Sequence, residues 1–224
     1  MASQGVLFQN AFVSTPSCTA SRGSILTGKN GFELEDGILL GGYLPKKFKT
    51  YTEVLKEAGY KVGATGKGWG PGTLFGRDVN PAGSPHNYLQ ENRYEDLFCE
   101  NSISPTNYAA NFNNFLFERE EDQPFVFWVG AHEPHRPYTN GLAATQNINI
   151  NEITIPGFYP DTKDVRTELG EYFAEIQHLD YQVGQVYEVL KKHNQLNNTM
   201  VVFSSDNGMP FPRSKSNLYE YGIH

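Results

Sequence analysis

The chain has 224 residues, 38% hydrophobic, 13% aromatic and 19% charged, the balance of a globular protein with a sizeable core rather than a disordered one. A formal net charge of −7 argues against nucleic acid as the main partner, although local basic patches could still hold anions. No apolar run reaches membrane-span length, the first residues lack a basic-then-apolar signal segment, and two cysteines cannot make a disulfide framework.

In chain order, the first predicted element is a short helix over 19–27, small and polar, with Cys18 near its N-terminus and Gly28 after it. Residues 29–49, rich in Gly and Lys, read as loop. Tyr51, Val54, Leu55 and Ala58, followed by Gly59, predict a helix over 50–60, and "KVGAT" a short strand. Residues 66–104 are dense in Gly, Pro and Asn and read as a long functional loop. "SPTNYAANFNNFLFERE" (104–120) predicts a helix opening at Ser-Pro, with Tyr108, Phe112, Phe115 and Leu116 at helical spacing. "PFVFWVGA" (124–131) has the continuous apolar run of a buried parallel strand, and 132–160 is loop. The strongest helix covers 164–193, with Leu169, Phe173, Ile176, Leu179, Val183, Val186 and Leu190 on one stripe. "TMVVFSS" (199–205) reads as the last strand. Helix then strand, three times over, predicts an α/β fold: a mixed, mostly parallel sheet flanked by helices on both faces.

Each predicted strand runs into chemistry: "GKGWGPG" after the first, "HEPHRPY" after the second, "DNGMPFPRSK" after the third. Ligands bind beyond the carboxyl ends of strands in open α/β sheets. Lys67, His132 with His135, and Asp206 with Asn207 are therefore candidates for one common site.

Residue by residue, plainer readings stand beside the functional ones. Cys18 is either a small buried hydrophobe or a thiol activated by a helix N-terminus and the guanidinium of Arg22. A thiolate phosphatase loop has five residues between Cys and Arg, and this chain has three. Asp-Asn-Gly at 206–208 is a good turn, or a source of hard oxygen ligands for a divalent cation. Pro134 inside His132-x-x-His135 argues against a helical zinc motif. Lys67 is a solvated loop lysine, or a ligand-facing one whose flanking glycines allow close backbone approach. Cys99 reads as structural, and His178, among carboxylates on the long helix, as surface.

"CTASRGSILTG" resembles the sulfatase signature, Cys-x-(Pro or Ala)-x-Arg followed by Thr-Gly, in which the cysteine becomes formylglycine. "MASQGVLFQNAF", "TGKG", "AHEPHRPY" and "SSDNG" resemble further segments of that family, and "DNGMPFPRSKSNLYEYGIH" its sulfamidase branch. The resemblance implies the alkaline phosphatase-like fold of that family. It implies hydrolysis of sulfate esters or N-sulfo groups on sulfated glycans through a geminal-diol nucleophile made from Cys18. By position, Arg22 would hold the diol, and Lys67, His132 and Lys215 would contact the sulfate or protonate the leaving group. Asp206, Asn207 and modified Cys18 would adjoin calcium, or magnesium, while His135, Arg136 and Arg213 would meet an anionic glycan.

The same resemblance implies a formylglycine-generating maturation enzyme as a partner and a periplasmic or secreted location. It further implies that residues 1–224 form an N-terminal catalytic-domain fragment, lacking a first strand with paired metal-binding aspartates and a C-terminal subdomain. Two positions depart from the family pattern: Ala20 stands where Pro is commoner, and Trp69 where a histidine usually follows the lysine. The rival functions are a phosphonate or phosphodiester hydrolase of the same superfamily and a degenerate glycan-binding domain in which Cys18 stays a thiol.

Overall fold

The computed structural model describes residues 1–91 and 103–224, so Cys99 lies outside the described residues. In chain order the elements are α1 (Cys18–Thr27), α2 (Tyr51–Glu57), β1 (Lys61–Gly66), β2 (Ser84–Pro85), α3 (Tyr108–Phe117), β3 (Phe125–Gly130), α4 (Leu142–Thr145), α5 (Lys163–Lys192) and α6 (Glu220–Ile223). Two compact units result. One comprises Met1–Gly59, Trp69–Gly83 and Val201–His224, the other Tyr60–Gly68 and the described part of Ser84–Met200.

The first unit is built around α1. Its ten residues are small or hydroxylated because nearly the whole turn from Cys18 to Gly23 is buried, with Leu26 following. Gly28 ends the helix in the left-handed conformation at φ 67° and returns its N–H to the Ser24 carbonyl, the glycine stop expected from sequence. Helix α2 starts at a capping box, with Thr50 and Glu53 serving each other's backbone amides.

The second unit carries the sheet, all parallel, in the order β2-β1-β3. Pairing runs from Lys61 opposite Phe125 to Gly66 opposite Gly130, so β1 and β3 release the chain at one edge. Helix α3 lies against β1 through an aromatic cluster in which the Phe115 and Phe127 rings sit 4.7 Å apart and those of Phe112 and Phe127 4.9 Å. Gly63 is part of this contact, because a Cβ there would stand 2.6 Å from the Phe115 ring. The expected α/β architecture, a parallel sheet flanked by helices, is what forms.

Several local expectations change: β2 and α4 fall within stretches read as loop, and β3 is half-buried up to Gly130 rather than buried. Helix α3 opens later than Ser104-Pro105: Asn107 caps it by accepting from the Ala110 amide, the stronger of the available starts. Residues 199–205 belong to no strand among the described residues, and Met200, Val202 and Phe203 are exposed. Strand-like composition needs a hydrogen-bonded neighbour, and none of the described strands lies along it. Along α5, Leu169 and Leu190 of the expected apolar stripe are buried while Phe173 is exposed. The inward face instead carries Gly170, Glu171, Ala174, Glu175, His178 and Gln182, so His178 is an interior residue, not a surface one. The close approach at Gly170 sets this rotation, since a Cβ there would stand 2.8 Å from Ile150.

The two kinds of glycine separate by experiment. Gly63→Ala is expected to destabilise the protein by about 1–3 kcal/mol, through overlap with a ring that has no room to move. Gly184→Ala, mid-α5 with open space at its Cβ position, is expected to stabilise by about 0.5–1 kcal/mol. Urea midpoints of the two variants check both signs.

Candidate active site

In the first unit, α1 presents Cys18 at its first turn and Arg22 one turn later, and both are buried. The segment after residue 205 meets them there. Arg22 Nε donates to Asp206 Oδ2 at 2.7 Å, across 184 residues of sequence. The Asn207 amide donates to the other carboxylate oxygen, Oδ1, at 2.6 Å, and its nitrogen stands 3.9 Å from Cys18 Sγ. Both side chains of the ion pair are mostly shielded, at 11% and 19% exposure, so solvent screens the attraction only weakly. A charged hydrogen bond of this kind contributes about 1.5–3 kcal/mol.

Backbone contacts hold the two segments in register. The Ser216 amide donates to the Pro16 carbonyl at 2.7 Å and Val13 to Ile223 at 2.8 Å. Gly208 donates to the Gly222 carbonyl at 3.0 Å, and a Cβ on Gly208 would fall 1.7 Å from the Tyr221 carbonyl oxygen. The glycine of Asp-Asn-Gly is thus required by close approach, beyond its value in a turn. Gly70 has a similar role that the sequence reading did not assign: a Cβ there would stand 1.8 Å from Arg22 Cδ. The glycine-rich run "GKGWGPG" was its only signal. Trp69, in place of the family's histidine, lies under the Arg77 guanidinium at 5.6 Å. Lys215 is half-buried, its amide bonded to the Met209 carbonyl at 3.1 Å, and Arg213 stacks over Tyr219 at 4.6 Å.

In the second unit, Lys67, His132, His135 and Arg136 all follow the carboxyl ends of β1 and β3. The Lys67 amide donates to the Gly130 carbonyl at 2.6 Å. His132 and His135 are exposed, and His135 Nδ1–H donates to the Arg136 carbonyl at 2.6 Å. Arg136 pairs with Glu168 at 2.6 Å and lies over Tyr138 at 4.8 Å.

Beneath this loop is a buried polar layer that sequence reasoning missed. Glu133, at 5% exposure, accepts from the Ser104 amide at 2.7 Å and the Tyr108 hydroxyl at 2.9 Å. Glu171 accepts from the amides of Gly141 and Ala143, each at 2.8 Å, fixing the start of α4. Glu175 is pushed up to about 8 by burial and then by the charge of Glu133, only partly countered by the amides of His135 and Thr139. A glutamate inside "HEPHRPY" carries no mark in the sequence of being interior.

A family model described as Sulfatase matches residues 1–224. The chain belongs to the sulfatase family. It is 29% identical to human N-sulphoglucosamine sulphohydrolase, the match covering 98% of the chain and 47% of that protein. It is 27% identical to an ulvan-active sulfatase of Formosa agariphila, covering 93% of the chain and 44% of that protein. The chain therefore spans about half the length of the relatives it matches. The crystal structure of a phosphonate monoester hydrolase of Agrobacterium radiobacter shares the fold, with a TM-score of 0.67 at 17% identity over 98% of this chain and 60% of that one.

Sulfatases generally depend on formylglycine and a metal ion. The oxygen-bearing side chains of the cluster around Cys18 are Asp206 and Asn207; the Asn207 nitrogen faces the sulfur, and the carboxylate and amide oxygens are of the hard kind a divalent cation prefers. Among the described residues no group of three or more His, Cys, Asp or Glu side chains is assembled as a metal site. Two oxygens are part of a shell of roughly 6–8 for calcium. Among the described residues no helix is long and apolar enough to cross a membrane.

Glu175 sets a pH dependence. Its folded-state value of about 8 lies above its ordinary 4.5, so the native state holds an extra proton between those values. Stability therefore falls as pH rises from 4.5 to about 8 and levels beyond. Glu175→Gln is expected to flatten that decline and to exceed the parent in stability at the alkaline end, as thermal unfolding across the range would register.

Proposed function

We propose that this sulfatase hydrolyses sulfate esters or N-sulfo groups of sulfated glycans, with Cys18, matured to formylglycine, as nucleophile. The observation that carries the reading is the gathering of buried Cys18 and Arg22 with half-buried Asp206 and Asn207 into one cluster from residues far apart in the chain. The N-sulfo preference is supported by the likeness to N-sulphoglucosamine sulphohydrolase. When present, formylglycine supplies a hydrated aldehyde, one hydroxyl to attack sulfur and the other to release sulfate as the carbonyl reforms.

The chain's own residues act around it. Arg22 keeps a fixed cation one helical turn from position 18, its stem against Gly70 and its Nε on Asp206, so positive charge stands where sulfate oxygens gather. Asp206 and Asn207 carry the oxygens that would ligate a divalent cation, calcium or magnesium, that offsets sulfate charge. Lys67, His132 and Lys215 are assigned to the sulfo group and to protonation of the leaving oxygen or nitrogen. His135 and Arg136 are assigned to the anionic glycan, with Arg136 exchanging its Glu168 partner for substrate.

Residues 1–224 are on this reading part of a catalytic domain that passes through a formylglycine-generating enzyme and works in the periplasm or outside the cell. Cys18→Ala in the natural, full-length protein is expected to lower sulfate release from N-sulfoglucosamine by at least roughly a thousandfold, while leaving the melting temperature nearly unchanged. Sulfate ion chromatography reads the first quantity and calorimetry the second. Retained turnover would remove Cys18 as nucleophile. Faster hydrolysis of a phosphonate monoester than of any sulfate ester would favour the phosphonate hydrolase instead.

A further inference from the structure

The loop bearing His132 and the turn bearing Lys67 meet at one buried side chain. Tyr108, fully buried on the first turn of α3, donates its hydroxyl proton to Glu133 Oε2 at 2.9 Å and accepts the His132 amide at 3.1 Å. Burial and the Glu133 carboxylate hold that hydroxyl protonated far above the usual tyrosine range, so it remains a donor. Glu133 is itself anchored through Oε1 to the Ser104 amide at 2.7 Å.

The ring of the same tyrosine touches the other strand end. Gly66 sits at φ 63°, and a Cβ there would stand 2.8 Å from Tyr108 Cε1 and 2.3 Å from the Gly130 carbonyl oxygen. The next residue, Lys67, donates its amide to that same carbonyl at 2.6 Å. One side chain thus fixes both exits from the sheet, the ring packing on Gly66 and the hydroxyl tying down residues 132 and 133. A phenylalanine would fill the same space, but it would leave the buried Glu133 carboxylate short of a donor and the His132 amide without its acceptor, so the hydroxyl is what couples residues 132 and 133 to α3.

We propose that Tyr108 is a positioning residue for the reaction, setting the backbone of Lys67 and His132 in register at the carboxyl edge of the sheet, with Glu133 as its anchor. This rests on the reading that Lys67 and His132 meet the sulfo group. Hydrogen bonds at the wrong height by a fraction of an ångström leave binding nearly intact while weakening transition-state contacts, so the effect belongs in kcat.

The test is a double-mutant cycle in the natural, full-length protein, assayed with N-sulfoglucosamine and with p-nitrophenyl sulfate. Tyr108→Phe is expected to lower kcat by roughly ten- to a hundredfold with KM within about twofold. In a His132→Ala background it is expected to cost almost nothing more, because the two act through one group. Glu133→Gln, which keeps the side chain's shape but offers the two donors a single acceptor, is expected to lose kcat alike and to be non-additive with Tyr108→Phe. Equal losses from Tyr108→Phe in the parent and in the His132→Ala background overturn the positioning role, as does an unchanged kcat. Full activity of His132→Ala alone overturns instead the assignment of His132, and with it the reading on which the brace depends.

Discussion

A single charged hydrogen bond, Arg22 Nε to Asp206 Oδ2, joins residues 184 positions apart and decides what the rest of the first unit can be. Its carboxylate is shared: Oδ1 takes the Asn207 amide, which in turn faces the Cys18 sulfur. Removing either charge would leave the other buried without compensation, the costly half of any shielded ion pair. The surrounding sequence is arranged so that the pair can form. Gly70 clears the arginine stem, Gly208 and Gly222 let the last segment pack backbone to backbone, and the small residues of α1 let the helix sink into the unit.

A sulfatase has to bring a singly charged sulfo group to a nucleophile and hold the charge that builds on its oxygens while a bond to sulfur breaks. A fixed guanidinium in a partly dry setting does this better than a mobile surface lysine, because its attraction is screened less and needs no reorganisation. The second unit handles position by other means. Its exposed histidines and half-buried Lys67 ride on a layer of interior carboxylates, tyrosine and backbone amides, where Glu133 accepts from two donors while burial raises Glu175. Exposed groups on a buried polar foundation can meet solvent and substrate yet keep a defined backbone.

Much of this was legible from local pattern. The glycine stop of α1, the helical spacing of α2 and the apolar run of β3 all appear where their residues predict them, because each depends on neighbours close in sequence. Cys18, Arg22 and the Asp206-Asn207 pair were also legible as candidates, though their meeting was implied only by the resemblance. The failures share one cause. Residues 199–205 have strand composition, but a strand exists only with a neighbour, which local sequence does not supply. The inward face of α5 was misjudged because buried carboxylates and His178 look like solvated positions until their partners are known. Gly170 and Ala174, small residues between those carboxylates, were the available hint that the polar side faced inward.

The central claim is that Cys18 is the precursor of the nucleophile, not merely a buried thiol beside an ion pair. The most direct measurement is the mass of the tryptic peptide ending at Arg22, from natural protein made alongside a formylglycine-generating enzyme. The account predicts a peptide lighter by the exchange of CH2SH for CHO and reactive toward a hydrazide. A peptide carrying the intact thiol under those conditions would contradict it.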